Sequence, residues 1–440
     1  METNTLEKKV EVKAEKKGIL SSFPLNYWIV IIMEFFERGS YYGVMSILSV
    51  YLVLSPNEGG LGFTKESVGI IKSTITPILY FLPILSGAIA DRFGYRKTLM
   101  FAFVVMSLGY FFTSLVNTYA LIFLSLILMV LGAGTFKPII SGTIARSTNE
   151  SNSTLGFGIY YWSINLGAFI FPLLLVPYLK SISWSYIFLM AAFGTGWLLV
   201  LNIFAYKEPE RPKSSKSILE VLGGIVLVLK DFRFISMIVI YSGFWILYFQ
   251  QFDTVLWYLK EHVDMTPVNI AVNSFLGLFV SSPNWKFDAE HVTVINAGTI
   301  ILLQIFISRI VKNTKALPTM ITGIGLGTIG MGILAISTHA WVFIAGMIIF
   351  SIGEMTAHPK YLSYVGLIAP EDKKALYLGY SFLYGVLGSG IGGILGAGLY
   401  VHFVDRLNSP GILWFIFSMI GVVTMAGLLL YNKFLAPKKV

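Results

Sequence analysis

The chain has 440 residues, of which 55% are hydrophobic and only 12% are charged, and its mean hydropathy is +0.75. These values are typical of a membrane protein with many α-helical spans. They exclude an ordinary soluble enzyme, and with so few charges the net charge of +9 is no sign of nucleic-acid binding. Because the chain has no cysteine, disulfides, thiol redox centres and cysteine zinc sites are also excluded.

Residues 1–26 begin with a polar, lysine-rich stretch without a cleavage signal, and we predict a cytoplasmic tail there. Apolar stretches long enough to cross a bilayer follow, since a spanning helix needs about 20 residues. There are twelve: 27–54, 68–90, 98–116, 119–145, 155–179, 185–206, 234–260, 291–311, 317–338, 341–368, 376–401 and 410–434. The sequence therefore predicts an all-α membrane protein with 12 transmembrane helices.

The distribution of lysine and arginine predicts the orientation. One set of alternate connections is rich in these residues, while the other holds only Lys65, Lys180, Lys260, Lys286 and Arg406. Basic connections stay in the cytoplasm, so both termini are predicted to be cytoplasmic. The chain length and the lack of a large outer domain suit an integral protein of a prokaryotic cytoplasmic (inner) membrane.

A charged, proline-containing connection separates six predicted spans from the next six, which is typical of a duplicated bundle. We therefore predict an N-terminal six-helix bundle over 27–206 and a C-terminal six-helix bundle over 234–434. A cytoplasmic linker over 207–233 would join them, and a short tail over 435–440 would follow.

The first apolar stretch contains Glu34, Glu37 and Arg38. A charge at the centre of a membrane costs at least about 2.5–3.5 kcal/mol, so such residues usually face a polar interior and mark a pathway. Their spacing places them on one stripe of the helix. Since two carboxylates share one arginine, a surplus acid remains that can carry a proton. The alternative is a buried ion pair that only fixes the packing.

Residues 87–97 read Gly-Ala-Ile-Ala-Asp-Arg-Phe-Gly-Tyr-Arg-Lys and resemble the signature loop of the major facilitator superfamily. An aspartate beside basic residues and a helix end can act as a latch at the inner surface. We therefore expect Asp91 and Arg92 to belong to a gate that holds the two bundles in one state.

The charged motif of the first span, followed by Tyr41-Tyr42-Gly43, resembles the proton-coupled oligopeptide transporter (POT) family of that superfamily. Further similar segments follow in the same order, at 79–83, 134–138, 160–167, 245–251 and 353–359, and Asn296 matches between the last two. The resemblance covers nearly the whole membrane core. It implies uptake of di- or tripeptides, or of peptide-like solutes, by proton symport and alternating access.

The resemblance also implies residue roles. Proton coupling is expected of Glu34, Glu37, Arg38 and Glu354. Substrate binding is expected of Tyr41, Tyr42, Tyr80, Lys137, Asn165, Trp245, Asn296 and Glu354. The expected partners are protons, a peptide or peptide-like substrate and the lipid bilayer. No cofactor, metal, catalytic group, nucleic acid or second subunit is expected.

The charges of Lys137 and Glu354 support this reading independently, because they have opposite signs and lie in different predicted bundles. A dipolar substrate between them would satisfy both charges. Alternatively, the two side chains pair directly and close the bundle, and the two roles can alternate during a transport cycle.

Two positions depart from the POT pattern. Met45 stands where the family usually has arginine, and Phe249 stands where it usually has glutamate. The two losses have opposite signs, so neither strands a buried partner, and they favour a less polar or singly charged ligand. The alternative function is therefore transport of a non-peptide solute, such as an amino-acid conjugate, nitrate or a drug-like molecule, including export. A nutrient sensor is a remote alternative.

Lys72 and Asp253 lie near the outer ends of the second and seventh spans, and we hypothesise that they form an outer-gate ion pair. The alternative is that each extends separately to the membrane interface. His358 is either a second proton site or a histidine that hydrogen-bonds within the packing. The roles of Lys360 and of the outer segment 261–290 are open.

Overall fold

The computed structural model describes residues 19–209 and 218–437. Most of the predicted N-terminal tail, residues 210–217 of the predicted linker, and residues 438–440 lie outside the described residues. We call residues 19–209 the first half and residues 218–437 the second half.

Helices account for nearly all of the described chain. In the first half they are α1 (Leu25–Met45), α2 (Leu48–Val53), α3 (Lys65–Phe93), α4 (Tyr95–Leu115), α5 (Tyr119–Ser147), α6 (Ser153–Ile182) and α7 (Ser185–Phe204). In the second half they are α8 (Ile218–Leu229), α9 (Phe232–Phe252), α10 (Thr254–His262), α11 (Thr266–Leu276), α12 (Glu290–Val311), α13 (Ala316–Ile333), α14 (Ala340–Ile368), α15 (Leu376–Arg406) and α16 (Pro410–Phe434). Within these ranges no β-strand forms, and one isolated bridge joins Asp264 to His339.

Eleven helices of the described ranges are long and apolar enough to cross a membrane: α3 to α7, α9 and α12 to α16. Most of their bounds agree with the predicted spans, because these helices begin and end where the apolar run does. The seventh predicted span, 234–260, differs, since it divides at Asp253 into α9 and α10. The first predicted span, 27–54, differs as well. It divides into α1, which has 21 residues and carries three charges, and the short α2.

Successive long helices alternate in direction, so the connections collect at two ends of the molecule. The α8 end contains the start of α1, the end of α16 and α8 itself. The α11 end contains α11 and the connections on the opposite side. The predicted linker is thus partly helical at α8, and the outer segment contains α11.

The two halves meet along two seams, where α3 packs against α15 and α6 packs against α12. Glycine makes the first seam possible. A Cβ atom built on Gly69 would lie 2.7 Å from the carbonyl oxygen of Gly393, and one on Gly393 would lie 2.9 Å from that of Gly69. Real Cβ atoms do not approach so closely, so the two helices can pack at this distance only because both positions are glycine.

Helix α9 ends in a 3-10 turn over Gln250–Phe252, and α10 starts again at Thr254. Asp253 lies at the break, with φ −135° and ψ −96°. Gln250 bridges the region, since its Nε2 donates to the carbonyl oxygens of Ile246 and Gly392 at 2.9 and 3.1 Å. The break presents the Asp253 carboxylate to the first half.

Candidate functional site

Three charged side chains are buried together on α1. Arg38 donates from Nε and Nη2 to both carboxylate oxygens of Glu37, the Nη2–Oε1 distance being 2.6 Å. Glu34 is more distant, with Oε1 3.7 Å from Nε of Arg38. All three side chains are at most 3% exposed. The sequence allowed Arg38 to pair with either acid, and the structure gives the two-point contact to Glu37.

Within the described ranges, Glu34 is therefore the carboxylate that keeps an oxygen free of hydrogen bonds. Its Oε2 atom is buried and has no hydrogen-bond partner among the described residues. A buried polar atom without a partner costs about 1–3 kcal/mol, and an ionised one costs more. The arrangement is suited to an acid that is protonated in this state, while Glu37 remains as the counter-ion of Arg38.

A cavity lies beside this cluster, between the two halves. Four predicted substrate residues line it, namely Tyr41, Tyr42, Tyr80 and Lys137. Its other lining residues are Arg38, Met45, Lys72, Thr76, Leu79, Tyr248, Phe249, Phe252, Asp253 and Ser389. The cavity thus brings a charged cluster of α1 together with residues of α3, α5, α9 and α15.

Both departures from the POT pattern, Met45 and Phe249, line this cavity. Phe249 also packs edge-on against the ring of Tyr80, with 5.6 Å between ring centroids. The lost charges are therefore replaced by apolar surface in the wall of the cavity itself. Sequence reasoning did not find Tyr248, Thr76 and Ser389, because an isolated tyrosine, threonine or serine in an apolar helix carries no distinctive signal.

Lys72 and Asp253 form the predicted ion pair, with 3.1 Å between Nζ and Oδ1. The two residues are 3% and 5% exposed. Ser49 supports the pair by donating from Oγ to Oδ1 of Asp253 at 2.6 Å. The alternative of two side chains extending separately to the membrane interface is wrong. The pair also belongs to the cavity wall, which the sequence did not indicate.

Lys137 and Glu354 do not pair directly in this state. The Nζ atom of Lys137 lies 5.3 Å from the ring centroid of Tyr80, and no carboxylate oxygen of the described residues is within 4 Å of it. Glu354 accepts instead from Nδ2 of Asn296 at 2.8 Å, and the same Nδ2 lies 3.0 Å from Oγ of Ser351. The predicted group of Asn296 and Glu354 is thus brought together.

Asn165 and Trp245 occupy different positions from that group. The Nδ2 atom of Asn165 donates to the carbonyl oxygen of Tyr161 in its own helix at 2.9 Å. Trp245 is 4% exposed and packs against Tyr384, with 4.5 Å between ring centroids. Its Nε1 is buried without a partner among the described residues. Trp245 does not line the cavity but packs edge-on against Tyr80, which does, with 6.1 Å between ring centroids.

His358 lies in the same aromatic cluster. Its Nδ1 is 3.4 Å from the hydroxyl of Tyr241, and its ring is edge-on to Trp245. This contact agrees with the alternative prediction for His358, a histidine that hydrogen-bonds within the packing. Lys360 is turned away from the cavity, since its Nζ donates to the carbonyl oxygen of Thr314 at 2.7 Å.

Two further ion-pair clusters join the halves at the α11 end, and the sequence did not reveal them. In one, Nζ of Lys65 lies 2.8 Å from Glu261 and 2.7 Å from Asp405. In the other, Nζ of Lys180 lies 2.9 Å from Asp288 and 2.6 Å from Glu290. In these two clusters and in the Lys72–Asp253 pair, the first half supplies the lysine and the second half supplies the acid. The sequence shows each of these residues but not which of them pair.

Asp288 is outside the membrane-spanning helices. Burial raises the pKa of its carboxyl, but the neighbouring ammonium groups of Lys180 and Lys260 outweigh burial and hold it at about 2. The Nζ of Lys260 is 3.2 Å from Oδ1 of Asp288. Asp288 therefore stays ionised at any pH near neutrality.

At the α8 end, two ion pairs each lie inside one half of the chain. Arg146 is 3.5 Å from Asp91, and Lys374 is 2.8 Å from Glu371. Arg92 stacks on its neighbour Phe93. In this state Asp91 connects α3 to α5, so its expected role as a latch between the halves is not displayed here. The molecule is closed at the α11 end.

Comparison with known proteins agrees with this architecture. Residues 27–287, more than half of the chain, match the family described as Major Facilitator Superfamily. The chain belongs to the Major Facilitator Superfamily. The match includes the charged cluster of α1, the loop after α3 and the broken helix α9. The protein is accordingly an integral membrane protein with an all-helical fold.

Among curated relatives, a di-/tripeptide transporter of Lactococcus lactis is 28% identical over 251 residues, which are 53% of this chain and 46% of that protein. The match thus covers less than half the length of this relative. The dipeptide and tripeptide permease B of Salmonella typhimurium is 25% identical over 482 aligned positions, which cover 93% of this chain and 94% of the permease.

Solved structures of POT family transporters share the fold of this superfamily member. One in complex with 5-aminolevulinic acid has a TM-score of 0.75 and 23% identity, covering 95% of this chain and 100% of that one. The peptide transporter POT in complex with sulfate has a TM-score of 0.76 and 21% identity, covering 94% and 96%. At identities this low, the structural likeness establishes the shared fold and nothing more.

Proposed function

We propose that this protein is a proton-coupled symporter of the POT family that takes up di- or tripeptides, or peptide-like solutes, by alternating access. One observation carries the proposal. A buried acid–acid–arginine cluster with a spare carboxylate oxygen borders a cavity between the halves, and that cavity also holds Lys137 and the Lys72–Asp253 pair. The matched peptide transporters support the same function.

The cavity suits a dipolar substrate. The ammonium group of Lys137 has no ionic partner within 4 Å among the described residues, so it can receive a substrate carboxylate. Glu354 is not among the described residues that line the cavity in this state; already accepting from Asn296, it has a second oxygen that would accept from a substrate amino group once the two halves rearrange. Tyr41, Tyr42 and Tyr80 supply the aromatic wall beside Lys137.

The proposed coupling starts from Glu34. In the state described here Glu34 carries the proton, and Glu37 neutralises Arg38. Loss of that proton makes Glu34 compete for Arg38, which draws the guanidinium away from Glu37 and rearranges the cavity wall. Inward proton movement supplies the energy, since one charge crossing 100 mV is worth about 2.3 kcal/mol.

The orientation is part of the proposal. We infer that α1 also crosses the membrane and brings the number of spanning helices to twelve. Its 21 residues are long enough to cross a bilayer, and its charges are buried inside the bundle. With both termini in the cytoplasm, the α8 end faces inward and the α11 end faces outward. The three inter-half ion clusters then close the outer side, and a prokaryotic inner membrane and a monomeric state complete the proposal.

The test is uptake into proteoliposomes, with and without an inward proton gradient. Accumulation of a dipeptide that disappears when a protonophore collapses the gradient is the expected result. Counterflow exchange of labelled peptide, measured on the same vesicles, shows whether the reconstituted protein binds and turns over. Peptide exchange without any gradient-driven accumulation would contradict the proton coupling. Absence of both uptake and exchange would contradict the peptide substrate.

A second candidate function is transport of a non-peptide solute, favoured by Met45 and Phe249 in the cavity wall. A POT family transporter of the same fold has been solved with 5-aminolevulinic acid, a small amino acid that is not a peptide. Competition by dialanine and by 5-aminolevulinic acid against one labelled substrate separates the two. Inhibition by the amino acid alone would favour this second candidate.

A further inference from the structure

The segment 265–285 at the α11 end has no charged residue, although it follows Asp264 and precedes Lys286. It contains α11 and the return of the chain toward α12. Connections at the surface of a membrane protein are usually polar where water surrounds them. A long uncharged connection therefore requires a physical explanation.

This segment is folded onto itself. Asn273 and Trp285 exchange two hydrogen bonds, each of 2.8 Å, between the amide side chain and the tryptophan backbone. Asn269 accepts from the backbone of Phe287 at 2.7 Å. One face of α11 is also anchored, because Val268 is 3% exposed and α11 packs against α14. The segment has a defined inner face.

The opposite face is apolar and uncovered. The large hydrophobic side chains Ile270, Phe275, Leu278, Phe279 and Val280 are 56–75% exposed. They are close in sequence and form one patch at the end of α11. Exposed apolar patches of this kind mark contact with another protein or with a membrane.

The position of the patch identifies its partner. The bridge between Asp264 and His339 places the start of α11 beside the start of α14. Trp341, two residues further along, is 48% exposed. Exposed tryptophans at the ends of membrane helices lie at the boundary between lipid and water. The uncharged segment begins at this level.

We propose that the apolar patch of this segment, from Ile270 to Val280, lies in the interfacial region of the bilayer at the α11 end, with its exposed side chains in lipid. An uncharged helix with one anchored and one apolar face is suited to this location. The same segment leads directly into Asp288 and Glu290, which hold Lys180 across the halves. The bilayer surface is thereby connected to one of the clusters that close this end.

Site-directed spin labelling tests the proposal, and the absence of cysteine makes single-cysteine variants straightforward. Phe279→Cys and Phe275→Cys report on the patch. Asn284→Cys, at an exposed polar position, is the control for water, and Phe306→Cys, exposed on α12, is the control for lipid. Each labelled protein is reconstituted into vesicles of phosphatidylethanolamine and phosphatidylglycerol, and the accessibility of the label to oxygen and to a water-soluble nickel chelate is measured.

The expected result is that labels at 279 and 275 favour oxygen over the nickel chelate several-fold, as the label at 306 does, while the label at 284 favours the chelate. Nickel accessibility equal to that at 284 would show that the patch lies in water and would overturn the proposal. Exclusion of both reagents would show that protein covers the patch, and would overturn it in favour of a second copy. Because the two reporters are exposed and independent, poor folding of one variant leaves the other to decide.

Discussion

The Nζ atom of Lys72 lies 3.1 Å from Oδ1 of Asp253, although the two residues belong to different halves of the chain. The pair is buried and is also part of the cavity wall. A substrate that enters this cavity therefore meets the ion pair that helps to close the α11 end. In the proposed mechanism, substrate binding and gating share these two side chains.

The first prediction concerns this pair. Lys72→Asp or Asp253→Lys alone leaves like charges buried together, which we expect to cost about 3–5 kcal/mol and to favour opening at the α11 end. The double swap restores the attraction. Distances between spin labels on the α11 ends of α3 and α9 should lengthen in each single variant and return in the double variant.

Lys286→Asp is the matched control for that experiment, because Lys286 is an exposed lysine at the same end. It should leave the distances unchanged. Unchanged distances in the Lys72 and Asp253 single variants as well would show that the pair has no part in closure.

The second prediction separates the two acids of α1. Glu37→Gln removes the ionised partner of Arg38 and should lower the free energy of unfolding by about 3–5 kcal/mol. Glu34→Gln should change it by less than about 1 kcal/mol, since Glu34 makes only a long contact. Thermal unfolding in detergent measures both.

In transport, Glu34→Gln should abolish gradient-driven accumulation and preserve exchange, because the variant cannot release a proton. Uptake in that variant that still rises with an inward proton gradient would rule out Glu34 as the coupling acid. A stable Glu37→Gln protein with an unstable Glu34→Gln protein would reverse the assignment of the counter-ion.

The third prediction concerns specificity. Met45→Arg or Phe249→Glu alone buries an unpaired charge in the cavity wall and should abolish transport. The double variant supplies both signs at once and should increase the preference for dipeptides over less polar solutes. Competition against one labelled substrate gives the ratio for each variant. An unchanged ratio in the double variant would show that neither position contacts the ligand.

The fourth prediction is a pH dependence at the α11 end. Because Asp288 has a folded-state pKa of about 2, below that of an unfolded aspartate, its ion pairs stabilise the fold throughout the neutral range. That stability should disappear as the pH falls from about 4 to about 2. The difference in melting temperature between wild type and Asp288→Asn should be constant from pH 7 to about 5 and should shrink below about 4.

Lys180→Met is the companion variant for this series, since it removes the ammonium group that Asp288 and Glu290 share and leaves Asp288 with that of Lys260. Its loss of stability should also shrink as the pH falls below about 4. A wild-type advantage over Asp288→Asn that persists at the lowest pH would show that packing, and not charge, explains the effect.

The fifth prediction tests the seam between α3 and α15. A side chain on Gly393 meets the backbone of Gly69, which cannot rotate away, so Gly393→Val should cost about 1–3 kcal/mol and loosen the α11 end. Gly398→Val is the control in the same helix, because a Cβ there meets nothing within 4 Å. Equal melting temperatures for the two variants would contradict close packing at this seam.

Much of the fold follows from local chemistry. Most helix bounds could be predicted because an apolar run ends where charge, proline or glycine begins. Helix α16, for example, starts at Pro410 and ends just after Lys433. Family membership could be predicted because motifs such as 87–97 are short and contiguous. The charged residues of the site could also be found, since a charge within an apolar span is costly and therefore conspicuous.

Which charged residues pair with one another could not be predicted in the same way. Lys65, Lys180 and their acids are ordinary residues near helix ends, and only the approach of α3 to α15 and of α6 to α12 brings them together. Likewise, spacing allowed Arg38 to pair with either acid, and side-chain packing selected Glu37 for the two-point contact.

The sequence by itself determined that this chain is a helical membrane protein with buried charges, because hydrophobicity and charge cost are properties of each residue. The tertiary structure alone decided which charges pair across the halves, which end is closed and that Met45 and Phe249 line the cavity. The physical reason is that pairing and enclosure depend on distances between residues far apart in the chain, and only packing of the two halves fixes those distances.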